Sequence, residues 1–303
     1  MKQSKRVSSI ILLGAFLYCA AAGIAAASAR PQESAPELVS PLGRKLYAEP
    51  ATGEALQKLQ AALQEAAGKL ERDPENADLL IAYGRALAGL WRYREAIEVY
   101  TKGIALYPEN ALFYRHRGHR YISMRQFDKG VADLEKADAL LPGLLSGDYD
   151  ILYHLGLAYY LRGEFERALP AYERCLAAAK DEGGRIAASN WYHHALRRAG
   201  KKAEAEKVLA AITPNMDAGE NGSYLNLLLF YKGLKPEDEL LKAAEASDLD
   251  LATTGYGVGA WYLYNGAPDK ARALFEKIVA TPYWPAFGFI GAETELVRLK
   301  GGR

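Results

Sequence analysis

A short motif recurs at a fixed distance along this chain. Pro74-Glu75-Asn76-Ala77 returns as Pro108-Glu109-Asn110-Ala111, 34 residues later, and Pro142 follows after a further 34. Gly84 and Gly118 keep the same step, as do Ala62, Ala96 and Gly130. A period of this length means that one supersecondary unit is being copied, and a unit so small cannot bury its apolar face alone, so copies must stack. Small residues at constant phase let two helices approach closely. Proline ends a helix because it has no backbone N–H to donate. These features together predict an all-α chain of antiparallel helix pairs.

Repeat 77–110 supplies Leu80, Tyr83-Gly84, Leu87, Ala96, Tyr100 and Pro108; repeat 111–144 supplies Tyr114, Gly118, Tyr121, Leu134 and Pro142. This pattern resembles the tetratricopeptide repeat (TPR), with Arg117 standing where that family usually has leucine, so that the arginine must snorkel or find an anion. The insertion Gly143 to Asp148 shifts the next unit by four residues, and Leu152, Leu155-Gly156, Tyr159, Ala168 and Tyr172 restart the pattern over 149–182. Weaker units follow at 186–219 and, in degenerate form, at 221–247; the unit at 252–285 is clear again through Gly259, Tyr262, Ala271 and Phe275. The resemblance implies a TPR-type α-solenoid, a right-handed superhelix over 54–299. A leading helix at 54–72 opens it, and a capping helix at about 286–299, with Phe287, Ile290, Thr294 and Val297 on one side, closes the stack. Residues 30–53, with four prolines, read as an extended tether.

Ahead of the tether, Lys2, Lys5 and Arg6 precede an apolar run from Val7 to about Ile24, and Ala27-Ser28-Ala29 forms an A-x-A site. That is the three-part layout of a secretory signal peptide over 1–29. The rival reading is an uncleaved anchor, since Val7 to Ser28 just reaches across a bilayer, and a membrane tether follows only in that case. The expected location is therefore exported, periplasmic or secreted. Cleavage would leave Cys175 as the sole thiol, so no internal disulfide can form; on its apolar stripe it reads as a packed core residue.

The 38 basic and 37 acidic side chains of the 303 residues nearly cancel, which gives no ground for a nucleic-acid partner. Catalytic signatures are scarce: there is no G-x-S-x-G elbow, phosphate loop or H-E-x-x-H, and no cofactor motif. Gly255-Tyr256-Gly257-Val258-Gly259 lacks a preceding strand and reads as tight helix packing. No enzyme is expected. All five histidines fall on first helices of their units. His116 and His119 share a helical face, and His154 of the next unit lies close enough to suggest a metal-dependent or hydrolytic site as one alternative. A homo-oligomeric module is another.

Charge patterning gives a different lead. Tyr114-Arg115-His116-Arg117-Gly118-His119-Arg120-Tyr121 is one basic stretch with aromatic ends; Arg197, Arg198, Lys201 and Lys202 form a second. The TPR resemblance implies that first helices line a concave groove, which would place Arg85, Arg115, His119, Tyr153, Tyr160, His194, Arg197 and Tyr256 on it. The family's carboxylate clamp uses paired lysine and asparagine at such positions, whereas this chain has Arg115 and His119. The chain is similar to bacterial periplasmic TPR adaptors, though without their lipid anchor. The resemblance implies a scaffold whose partner is a protein or peptide segment, acidic by charge complementarity.

Overall fold

A computed structural model describes residues 35–48, 51–141 and 148–301. The leader over 1–29, the start of the tether and the insertion after Pro142 lie outside the described residues. Helices follow in antiparallel pairs: α1 (Gly53–Arg72) stands alone, then α2 (Ala77–Gly89) pairs with α3 (Tyr93–Leu106), α4 (Ala111–Ser123) with α5 (Phe127–Ala139), and α6 (Tyr149–Arg162) with α7 (Phe165–Ala178). Next come α8 (Glu182–Arg198) with α9 (Lys202–Ala210) and α10 (Gly222–Tyr231) with α11 (Glu237–Ala244). Then α12 (Asp248–Asp250), a π-helical turn (Leu251–Gly255) and α13 (Tyr256–Tyr264) run on continuously and pair with α14 (Pro268–Val279); α15 (Phe287–Lys300) is last.

The recurring motif has a local cause. Its asparagine is the N-cap of the next first helix: Asn76 Oδ1 accepts from Leu79 N–H at 3.1 Å and Asn110 Oδ1 from Leu112 N–H at 3.0 Å. Asp148 and Asp181 do the same for α6 and α8. Each such cap stabilises its helix by about 1 kcal/mol. The small residue of the first helix meets the residue sixteen positions on in the second. At Gly84 a Cβ would sit 2.4 Å from the Tyr100 ring, and the same step joins Gly156 to Tyr172 and Gly259 to Phe275. His193 replaces the small residue in its unit and is buried against the Tyr231 ring, with centres 4.6 Å apart. Arg117 finds its anion: Nε and Nη2 donate to Asp133 at 2.7 and 2.8 Å.

The turn inside each pair carries one left-handed residue. Glycine fills it at Gly163, Gly200, Gly233 and Gly266, but in the first two pairs Trp91 (φ 57°) and Arg125 (φ 59°) occupy it. Non-glycine side chains pay about 1–2 kcal/mol for that conformation, so something must hold them there.

Two expectations need correction. Residues 35–48 are not an extended tether: Leu38–Val39 (β1) pairs antiparallel with Lys45–Leu46 (β2), and Leu38 and Leu46 are buried in the main core. Leu38 and Leu46 fall at facing positions of the ribbon, so one side is apolar enough to dock. The last helix does more than cap the stack. It packs on α14 and on the π turn as another first helix would, but its remaining sides also meet α4, α6 and α8. Every residue from Gly288 to Glu295, and Leu296, is buried. A helix covered all round needs small and apolar side chains on every face, and Gly288, Phe289, Ile290, Gly291 and Ala292 provide them. No helix of the described residues is long and apolar enough to cross a membrane.

Candidate functional site

The first helices α4, α6, α8 and α13 turn one face toward each other, and α15 fills the space between them. Gly288 lies so close to the π turn that a Cβ there would stand 1.8 Å from the Ala252 carbonyl oxygen. Two glutamates of α15 enter this interior with their counter-ions. Glu293, fully buried, accepts from Arg125 Nε at 2.7 Å; Glu295 Oε1 meets Arg198 Nη1 at 2.6 Å and Arg298 Nη1 at 2.7 Å. Arg125 also donates from Nη2 to the Trp284 carbonyl oxygen at 2.9 Å and from Nη1 to Ser123 O. Trp284 in turn packs edge-on against Trp91 and Tyr93 and donates from its indole to the Tyr47 carbonyl at 2.8 Å. Both left-handed non-glycine turns thus grip the segment that leads into α15.

This occupancy decides where the expected groove residues lie. Tyr160, His194 and Tyr256 are core residues, which overturns their placement on an open groove. The Tyr256 hydroxyl donates to Tyr160 at 2.8 Å beneath α15, Trp191 stacks on Tyr256, and His194 is enclosed by Tyr231 and Tyr264. Tyr153 is buried as well, between Tyr149 and His154, near Phe287. Arg115 forms an ion pair with Asp150 at 2.5 Å, and His119 lies between the rings of His154 and Phe287, at 4.1 and 5.3 Å. Arg85 is exposed, and Arg197 is partly exposed at the far end of α8. Sequence reasoning missed Arg125, Trp284, Glu293, Glu295 and Arg298, and it placed Arg198 in a basic stretch without its buried partner Glu295. Two acidic residues in an otherwise small and apolar final helix were the available signal, because such residues are seldom buried without partners.

The histidines do not make a metal centre. Among the described residues no three His, Cys, Asp or Glu side chains stand where a metal ion would be held. Asp150 O can only accept, so His154 Nδ1 is the donor at 2.6 Å, and His116 lies with its ring nitrogens 3.2 Å from Arg115 while stacking on Tyr100. Burial, reinforced by the Arg115 charge, pushes His116 and His154 down to about 3, and burial with the Arg120 charge pushes His119 well below its usual value. The charges of Arg115 and Arg120 beside these imidazoles repel a cation. Cys175 is buried, and burial pushes its thiol up to about 12, so it is no nucleophile.

The tetratricopeptide repeat family model matches residues 151–186, which covers α6, α7 and the start of α8. With the helix pairs on either side of it, that match gives the chain a tetratricopeptide-repeat fold. A TPR relative, small glutamine-rich tetratricopeptide repeat-containing protein 2 of Saccharomyces cerevisiae, is 34% identical over 99 residues, 33% of this chain and 27% of that protein. Hsc70-interacting protein 1 of Drosophila melanogaster is 30% identical over 148 residues, 48% of this chain and 32% of that protein. The chain thus spans less than half the length of the curated relatives it matches. Among solved structures, the APC/C hetero-tetramer Cut9-Hcn1 superposes with a TM-score of 0.50 at 18% identity, over 80% of this chain and 40% of that one. At that identity the likeness speaks for the TPR fold alone.

Proposed function

We propose that this TPR chain is an exported, non-enzymatic scaffold that holds a segment of a partner protein on the part of the first-helix face that α15 leaves open. The carrying observation is the exposure of that face on α2 and the start of α4. Asp78, Ala82 and Arg85 follow one another at helical spacing on α2, and Leu112 occupies the position on α4 that Asp78 has on α2; all four are exposed. Leu112, 44% exposed, is a large apolar side chain on α4, and Arg85 is an exposed cation on the neighbouring α2, which suits a segment that carries both an apolar and an acidic residue. Protein-interaction roles named in the relatives, such as Hsc70 interaction, support a binding role for TPR repeats in general. Export rests on the sequence layout of residues 1–29.

The test is capture of partners from the cell envelope by the native chain and by an Arg85→Glu/Leu112→Asp variant, with mass spectrometry as readout. Retention by the native chain and loss by an equally helical variant supports the reading; identical partner sets overturn the site. Sequencing the amino terminus of the chain recovered from cells addresses export separately. A start at Arg30 supports it, and an intact leader on a cytosolic protein overturns it.

A further inference from the structure

A second feature lies at the other end of the first helices. The carboxyl ends of α8, α13 and α15 surround a pocket of about 260 Å³ lined by Arg197, Arg198, Tyr264, Glu295, Arg298 and apolar leucines. That volume is below the range of drug-sized sites, so only a small group fits. Three guanidiniums face one carboxylate. Arg198 and Arg298 share a single oxygen of Glu295, whereas Arg197 has no acidic partner among the described residues. Each cation is held in place: Arg198 and Arg298 lie 4.5 and 5.6 Å from the Phe165 ring centre, and Arg197 lies 4.4 Å from that of Tyr264. Arg197 also donates from Nη2 to Asn265 Oδ1 at 3.0 Å, and Arg298 from Nη2 to the Leu161 carbonyl at 2.6 Å.

We propose that this pocket binds a small oxyanion, a phosphate or carboxylate group, between Arg197, Arg198 and Arg298. A guanidinium offers five N–H donors in a planar fork, and the contacts above use a minority of them. The carboxylate of Glu295 neutralises one charge of three, which leaves an excess of two in a partly buried site. An anion with two or three oxygens answers both deficits at once, and the aromatic braces mean that little ordering is lost on binding. Glu295, buried, holds Arg198 and Arg298 on one oxygen, and both guanidiniums line the pocket. The pocket shares no residue with the α2–α4 surface, so either site can fail alone.

The full chain is titrated calorimetrically with inorganic phosphate and, separately, with glutarate, against sodium chloride of equal ionic strength. Saturable binding of about one anion per chain is expected, weakened at least tenfold by Arg197→Gln, while the variant keeps its helical circular dichroism in chloride because Arg197 leaves no buried acid stranded. Preference for phosphate identifies a free phosphate source, and preference for glutarate identifies a protein carboxylate. If Arg197→Gln loses its helical circular dichroism, protection of Arg197 from phenylglyoxal by the better anion, mapped by mass spectrometry, reads the same site. Absence of saturable binding beyond chloride, affinity unchanged in the variant, or no protection overturns the proposal and leaves the arginines as braces for three helix ends.

Discussion

A carboxylate with no access to water has to find its counter-charge inside the protein, and Glu293 finds it in Arg125, itself 4% exposed. Such a pair adds little over an apolar equivalent, but the loss of one member strands the other. Glu293→Ala should therefore destabilise the chain by about 3–5 kcal/mol in urea unfolding, and Arg125→Met/Glu293→Leu should recover much of that. A double variant no more stable than Glu293→Ala would contradict the argument. The histidines make the second residue-scale prediction. His116, His154 and His193 are held down to about 3 by burial first and by neighbouring arginines second. The unfolded chain, with ordinary histidines, binds protons that the folded chain refuses. Stability is thus intact above about pH 6.5 and falls as the pH drops from there toward 3, by about 1.4 kcal/mol per pH unit for each histidine. Acid unfolding followed by circular dichroism should begin near pH 6, before carboxylates titrate; an onset below pH 4 would rule this out.

At the scale of elements, α15 is seated by what it lacks. A methyl group at Gly288 would meet the backbone of Ala252, which cannot rotate away as a side chain can. Gly288→Ala should cost about 1–3 kcal/mol, although alanine is the better helix former, whereas the same change at solvent-facing Gly68 of α1 should stabilise. Thermal melts of the two variants in opposite directions are the expected result. The paired helices were legible in the sequence because their determinants are local: asparagine caps, glycine at the close approach, tyrosine or phenylalanine sixteen residues later. The seat of α15 was not. Phe287, Ile290, Thr294 and Val297 describe one stripe, but only the three-dimensional return of the chain shows that Gly288, Gly291 and Ala292 face other helices. Tyr160, His194 and Tyr256 hold the positions that lining residues occupy in an open repeat, so their burial depends on an element more than thirty residues away from the nearest of them. Arg85 is legible as exposed because α15 does not reach it.

At the scale of the molecule, a plain solenoid is held by contacts between neighbours, and its units can unravel from an end. Here Arg125 reaches Glu293, Arg298 reaches Leu161 and Trp284 reaches Tyr47, over sequence separations of 168, 137 and 237 residues. These ties join the first described segment, the middle pairs and the last helix. Unfolding in urea should be a single transition, with coincident tryptophan fluorescence and circular dichroism. Truncation before Phe287 should split or broaden it and expose the aromatic interior to a hydrophobic dye; a truncated chain that still melts in one sharp step would refute the role given to α15.

The chain grows from its amino end, so α15 is the last of the described helices to leave a ribosome. Until it arrives, Arg125 and Arg198 lack their buried acids, and the aromatic rings of α6, α8 and α13 lie open to water. Completion of the fold is thereby postponed until the last described helix has emerged, and only a chain made that far can close.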